Sequence, residues 1–277
     1  MDRILPFLFP AQQASDEPFM RNADAKIQYS DHAAASSPSS APGATIQVPH
    51  YFYPLQVHIP GYTENTLSVP TMLAAFALAA VAVLSLSYYA TLILQKRTRR
   101  VLSTADTTAV LWFALSGCIH LMFEGFFSLR HASMGSEMSL FGQLWKEYAL
   151  SDSRYMTSDT FVLIMESFTA WVLGPLSVVL VGGTMAGSAW RQPLQIVVLV
   201  CQVYGVVLYY ACAEWDFYHH GIQYGRSEPA YYLGYFWGIN GLWVVVPACK
   251  LSFPTRPFPT MLSYRISIAD WISSHQI

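Results

Sequence analysis

The sequence predicts an all-α polytopic membrane protein, a bundle of five transmembrane helices around a central, lipid-accessible pocket. Three observations carry that prediction. The chain is 53% hydrophobic and only 12% charged, against about 25% charged in an ordinary soluble domain. Its apolar residues lie in uninterrupted runs rather than in the alternation of a membrane β-barrel strand. Several runs reach the ~20 residues a helix needs to cross the bilayer core, where backbone polar groups must find their partners within a helix or a closed barrel.

The first 45 or so residues differ from the rest. The stretch "DHAAASSPSSAPGA" is rich in Ala, Ser and Pro and cannot bury enough apolar surface to fold, so 1–48 is expected to be a disordered extension. A membrane domain over 49–251 and a cytoplasmic tail over 252–277 follow. The expected spans are 69–94, free of charge, 107–127, apolar but for His120 and Glu124, 161–185, with the single charge of Glu166, and the uncharged 193–212 and 231–249.

The cluster "QKRTRR" directly after the first span, with Arg191, Lys250, Arg256 and Arg265 on the same side, places that face in the cytoplasm. The N-terminus is then lumenal or external and the C-terminus cytoplasmic. Between the second and third spans, "LFGQLWKEYALSDSRY" carries Leu140, Phe141, Leu144, Trp145 and Tyr148 at helical spacing. This predicts an interfacial amphipathic helix with Trp145 and Tyr148 at headgroup depth. The four cysteines lie in apolar runs without metal-site spacing and read as small buried hydrophobes. A net charge of −2 and the lack of a long basic block leave no basis for a nucleic-acid partner.

Ionisable groups inside spans are costly and face the bundle interior, which makes them functional candidates. His120 and Glu124, four residues apart, share one face of their helix. Glu166 and Thr169 share a face of the third span, and Asn240 and Trp243 a face of the fifth. Hydrogen-bonding glue between helices is the plain reading of an isolated Asn or Thr, and packing that of an isolated Trp. Two carboxylates and a histidine ask for more. A metal site lacks a second His–carboxylate pair, and an ion pathway needs polar groups along its length rather than at one level. The remaining reading is an acid–base pocket for an apolar substrate. There, burial keeps one carboxyl protonated while its partner accepts a proton, and a tryptophan face stabilises a cation.

At these residues the chain resembles the emopamil-binding protein family, the 3β-hydroxysteroid Δ8,Δ7-isomerases of the EXPERA group. The stretches that carry the resemblance are "CIHLMFEGFF", "LWKEYALSDSRY", "IMESFTAWVLGPLS", "CQVYGVVLYY" and "GINGLWVVVP". The resemblance implies a five-helix endoplasmic-reticulum protein, without cofactor or metal, that shifts a sterol double bond from C8=C9 to C7=C8. A proton reaches C9, a carbocation forms at C8, and a proton leaves C7. It implies Glu124 and Glu166 as the acid/base carboxyls, with either one the donor, His120 as relay or orienting group, Trp243 as cation stabiliser and Asn240 as its positioning partner. Thr169 and Tyr155 match further pocket residues, Tyr155 as one that closes over the pocket.

It also implies inhibition by cationic amphiphilic amines and a homodimer, although no span carries a clear self-association face. The chain departs from the family at Val206, where animal sterol isomerases carry an acidic residue, and in the "AEWDFYHHG" loop. Those departures keep two other readings in view: an isomerase of another terpenoid in specialised metabolism, and a sterol-binding member without catalysis.

Overall fold

Ser68, Ser103, Ser139 and Asp159 each begin a helix by accepting a hydrogen bond from a backbone N–H three residues ahead, which satisfies one of the donors that a helix start leaves unpaired. The helices that follow are α1 (Val69–Thr98), α2 (Thr104–Ser136), α3 (Leu140–Tyr148) and α4 (Thr160–Ala186). Gly187, at φ +68°, ends α4 in the left-handed conformation that suits glycine. Helix α5 (Arg191–His220) follows. Helix α6 spans 230–252, with a wide-turned part (Ala230–Ile239) running into a regular one (Asn240–Ser252). In this computed structural model the described residues are 50–99 and 101–252, and no strand occurs among them. The expected extension over 1–48, all of the tail beyond 252, and Arg100, Arg256 and Arg265 lie outside the described residues.

Helices α1, α2, α4 and α5 are long and apolar enough to cross a membrane, and all four contain the spans expected from the sequence. The fifth expected span lies within α6, where Tyr, Trp and Gly residues and Asn240 dilute the aliphatic content. Helix α2 packs along α4, α5 along α6, and α1 against α2 and α3. Helix α1 buries only Met72 and Thr91, while Leu78 and Leu86 are about 70% exposed. In a bilayer such a helix is satisfied by lipid on its outer faces. The same solvent corrects the reading of the cysteines as buried. Cys118, Cys201 and Cys212 are only half-buried and Cys249 is exposed, because an apolar residue in a membrane helix need not face a protein core.

The connection between α2 and α4 differs from the interfacial helix expected there. Helix α3 forms, but Trp145 and Tyr148 turn toward the bundle instead of toward headgroups. Trp145 is 2% exposed, stacks on Phe123 at 4.3 Å with an interplanar angle of 7°, and donates its indole N–H to the Phe123 carbonyl at 3.0 Å. The segment before α1 is clamped to the same helix. Gln143 Oε1 accepts the backbone N–H groups of Thr66 and Leu67 at 2.8 and 2.9 Å, and Lys146 donates to the Thr63 carbonyl at 2.6 Å. Burial lowers the pKa of that lysine. Helix α3 thus serves as a cap over the aromatic cluster of Phe127, Trp145, Tyr155, Tyr209 and Phe236.

Three wide π-type turns interrupt these helices, at Ile119–Glu124 in α2, Thr169–Leu173 in α4 and Ala230–Ile239 in α6. In α4 the cause is local. Pro175 has no N–H to return to the preceding turn, and the Gly174 N–H reaches back five residues to the Thr169 carbonyl. The π-turns of α2 and α4 touch, and a glycine makes the approach feasible. A Cβ on Gly174 would lie 2.8 Å from Leu121 Cγ and 3.3 Å from His120 Cβ. Gly174→Val is therefore expected to cost about 1–3 kcal/mol from overpacking, visible as a lowered melting temperature in detergent. A melting temperature equal to the wild type would show that the contact relaxes freely.

Candidate active site

The three π-turns carry or adjoin the polar residues. Such turns add a residue to the helix, rotate the side chains that follow, and are frequent at functional sites. His120 and Glu124 lie within the first, Thr169 opens the second just after Glu166, and Asn240 follows the third. His120, Glu124, Tyr155, Glu166, Thr169, Asn240 and Trp243 all line one cleft. An apolar lining with a few convergent polar groups is the usual form of a small-molecule site.

The carboxylate of Glu124 is the hub. Its Oε2 lies 2.7 Å from His120 Nδ1 and accepts the Thr169 hydroxyl, which also sits 2.9 Å from the Glu166 carbonyl. Glu166 Oε1 accepts the Tyr155 hydroxyl at 2.5 Å. His120 is 2% exposed and Glu166 6%. Trp243 presents its ring with its centroid 6.2 Å from that of His120 and 5.6 Å from that of Trp112. Asn240 Nδ2 donates to the Tyr148 hydroxyl at 2.7 Å and to the Phe236 carbonyl at 2.8 Å. Burial pushes the phenols of Tyr148 and Tyr155 well up, with the Glu166 carboxylate raising Tyr155 further, so both are neutral hydroxyls at physiological pH.

Tyr155, which the resemblance implied as a residue closing over the pocket, is among the residues that line the cleft. It is 2% exposed and sits within the wall, in a short turn (Ser153–Met156) held by a buried ion pair. The Asp152 carboxylate accepts from Arg154 Nε and Nη2 at 3.0 and 2.6 Å, and the guanidinium lies 4.9 and 5.0 Å from the ring centroids of Tyr209 and Tyr224. Burial works against the Arg154 charge, and Asp152 more than offsets it.

Sequence reasoning missed three members of the wall. Gln202, 3% exposed, sits between Trp112 and His120. Tyr148 holds Asn240, and the buried Glu147 accepts from Tyr231 and Tyr235 at 3.4 Å each. Burial raises the pKa of that carboxyl. The available signal for Gln202 was a neutral amide within an uncharged apolar run, which a search for charges passes over.

The arrangement brings the carboxyl groups of Glu124 and Glu166 together with an imidazole, hydroxyls and an indole face in a mostly apolar cleft, whose wall also holds Glu147 and the amides of Gln202 and Asn240. Such a set can add a proton to an apolar substrate on one carboxyl and remove one on the other. The EXPERA (expanded EBP superfamily) model matches residues 140–252. The chain is similar to the 3β-hydroxysteroid-Δ8,Δ7-isomerase of Rattus norvegicus, 36% identical over 202 residues that make up 72% of this chain and 84% of the relative. It is similar to the isomerase of the same name from Cavia porcellus, 33% identical over 213 residues, 76% of this chain and 89% of the relative. A third relative, an isomeliandiol synthase of Melia azedarach, is 35% identical over 144 residues, 52% of this chain and 65% of its own. The matches to the two isomerases cover more than two thirds of this chain and more than four fifths of each relative, and the chain belongs to the EXPERA, or expanded EBP, superfamily.

Proposed function

We propose that this protein is a sterol Δ8-Δ7 isomerase, a multi-pass membrane enzyme that moves a C8=C9 double bond to C7=C8. The observation that carries the reading is the bonded set of His120, Glu124 and Thr169 facing Glu166 in one apolar cleft. Two carboxyl groups in a shared apolar site do not both ionise readily. Glu124 Oε2 collects the donors of His120 and Thr169, so the negative charge belongs on Glu124. Glu166 accepts one phenol on Oε1, and its other oxygen carries the transferable proton.

Glu166 gives that proton to C9, and the C8=C9 π electrons form the new C–H bond and leave a cation at C8. Trp243 faces the cation with its π surface, and Asn240, held by Tyr148, keeps that helix face in place. Glu124 then takes a proton from C7, the C–H electrons close the C7=C8 bond, and the proton count balances. The pair resets when a proton returns from Glu124 to Glu166, directly or by exchange with solvent. The reaction moves only protons and electron pairs already in the substrate, so it calls for no cofactor.

The same geometry supports inhibition by cationic amphiphilic amines, which place a positive charge where the C8 cation forms. Lys96, Arg97 and Arg99 at the C-terminal end of α1 support a cytoplasmic placement of that end. A lumenal N-terminus, a cytoplasmic C-terminus, α6 as the fifth span and the endoplasmic reticulum as the host membrane belong to the same proposal. A homodimer belongs to the same reading.

A second reading has its own support. Val206 lines the cleft, where an acidic residue stands in animal sterol isomerases, and the Melia relative is named as the synthase of a product called isomeliandiol. Isomerisation of a different terpenoid uses the same residues. One experiment separates the two. Expressed in cells lacking sterol Δ8-isomerase activity, the protein is expected to convert accumulated Δ8-sterols to Δ7 products. Folded protein that leaves Δ8-sterols untouched but isomerises another terpenoid would move the assignment to the second reading.

A further inference from the structure

The cluster behind the cleft decides a question of proton position. An indole nitrogen donates and cannot accept, and Trp112 Nε1 lies 3.1 Å from one end of the Gln202 amide. That end must be the oxygen. The amide nitrogen, which also only donates, then faces His120 Nε2 at 3.2 Å. His120 Nε2 must accept, so the ring's single proton resides on Nδ1, 2.7 Å from Glu124 Oε2. Trp112, Gln202 and His120 are respectively 9%, 3% and 2% exposed, which leaves little water to offer an alternative partner. A doubly protonated imidazole would set an N–H against the amide N–H of Gln202, with both donors unsatisfied.

We infer that Trp112 and Gln202 are positioning residues that hold His120 as the neutral imidazole protonated at Nδ1, and so make Glu124 the ionised carboxyl of the pair. The three residues form a one-way chain of donors, Trp112 to Gln202 to His120, that ends on Glu124 Oε2. His120 keeps its proton through the cycle and aims it at the base. It is an orienting group, and the relay role is excluded because Nε2 has no proton to pass on and no free partner to receive one from. The inference rests on Glu124 acting as the proton acceptor, and it deepens that assignment.

The test reads the tautomer without turnover. In purified protein labelled with ¹⁵N-histidine, the His120 resonances are identified by their loss in His120→Gln. Wild-type protein is expected to show a protonated Nδ1 and an unprotonated Nε2. Gln202→Leu removes the donor and should bring in the Nε2-protonated form. It should lower kcat about tenfold to a hundredfold, by analogy with the loss of a partner that orients a metal-bound histidine, with KM within about twofold. Trp112→Phe frees the amide to rotate and should act in the same direction more weakly. Gln202→Met provides a variant of similar length and bulk if Leu impairs folding, as judged by melting temperature.

A wild-type His120 protonated at Nε2, or at both nitrogens, overturns the inference. So does a Gln202→Leu protein with unchanged tautomer and kcat. Failure of the isomerase reading would appear separately, as folded wild-type protein that converts no Δ8-sterol while its ¹⁵N spectrum still reports the tautomer.

Discussion

Glu124→Gln and Glu166→Gln are each expected to reduce Δ8-sterol isomerisation by about a hundredfold to ten-thousandfold, the span that a positioned acid or base contributes. Each amide keeps the size of the carboxyl and its ability to accept a hydrogen bond from Thr169 or Tyr155, so the melting temperature in detergent should change little. The two variants should differ in binding. Glu124→Gln removes the carboxylate that pairs with a cationic amine, so affinity for a cationic amphiphilic inhibitor should fall. Glu166→Gln replaces a group proposed to be neutral and should leave that affinity closer to wild type. Turnover in deuterated water supplies a further check, since the wild-type enzyme should place deuterium at C9. Either variant retaining activity within about tenfold of wild type would remove that residue from the chemistry. An inverted inhibitor pattern would exchange the roles of the two carboxyls.

The second large effect is on stability. Asp152 and Arg154 are 0% and 2% exposed, and removing one partner of a buried pair strands the other, at a cost of about 3–5 kcal/mol. Arg154→Leu and Asp152→Asn should each lower the melting temperature steeply, and both should impair catalysis because Tyr155, next in the chain, is the donor to Glu166. Replacing both residues together with apolar side chains of similar bulk should cost less than the sum of the singles, since neither charge is then left alone. The measurement is a melting curve of all three variants in one detergent. Single variants that melt with the wild type would show that water or lipid headgroups reach the pair.

The residues that hold this site differ in how visibly they announce themselves. His120, Glu124 and Glu166 stand out because a charge within an apolar run is costly in hydrocarbon, and few physical reasons tolerate it. Asn240, Trp243 and Thr169 followed from helical spacing, which places residues three apart on one face. Gln202 and Trp112 give no such signal. A glutamine in a span reads as one more uncharged residue, and a tryptophan there as packing, until the 3.1 and 3.2 Å contacts show that one orients the other. Trp145 and Tyr148 were legible as an amphipathic pattern and still pointed the wrong way. Hydropathy reports that a face is apolar and leaves open whether lipid or protein covers it.

By itself, then, the sequence determined the solvent, the helices and three of the ionisable residues that line the cleft. Those follow from transfer free energies and backbone hydrogen bonding, which act on each segment separately. Only the tertiary structure decided which donor meets which acceptor. The π-turns at 119–124 and 169–173 rotate His120, Glu124 and Thr169 onto each other. The close approach at Gly174 lets α2 and α4 meet there, and the Trp112–Gln202 contact selects the imidazole proton. Hydrogen bonds weaken within a few tenths of an ångström and a few tens of degrees, and that geometry exists only once the helices have packed.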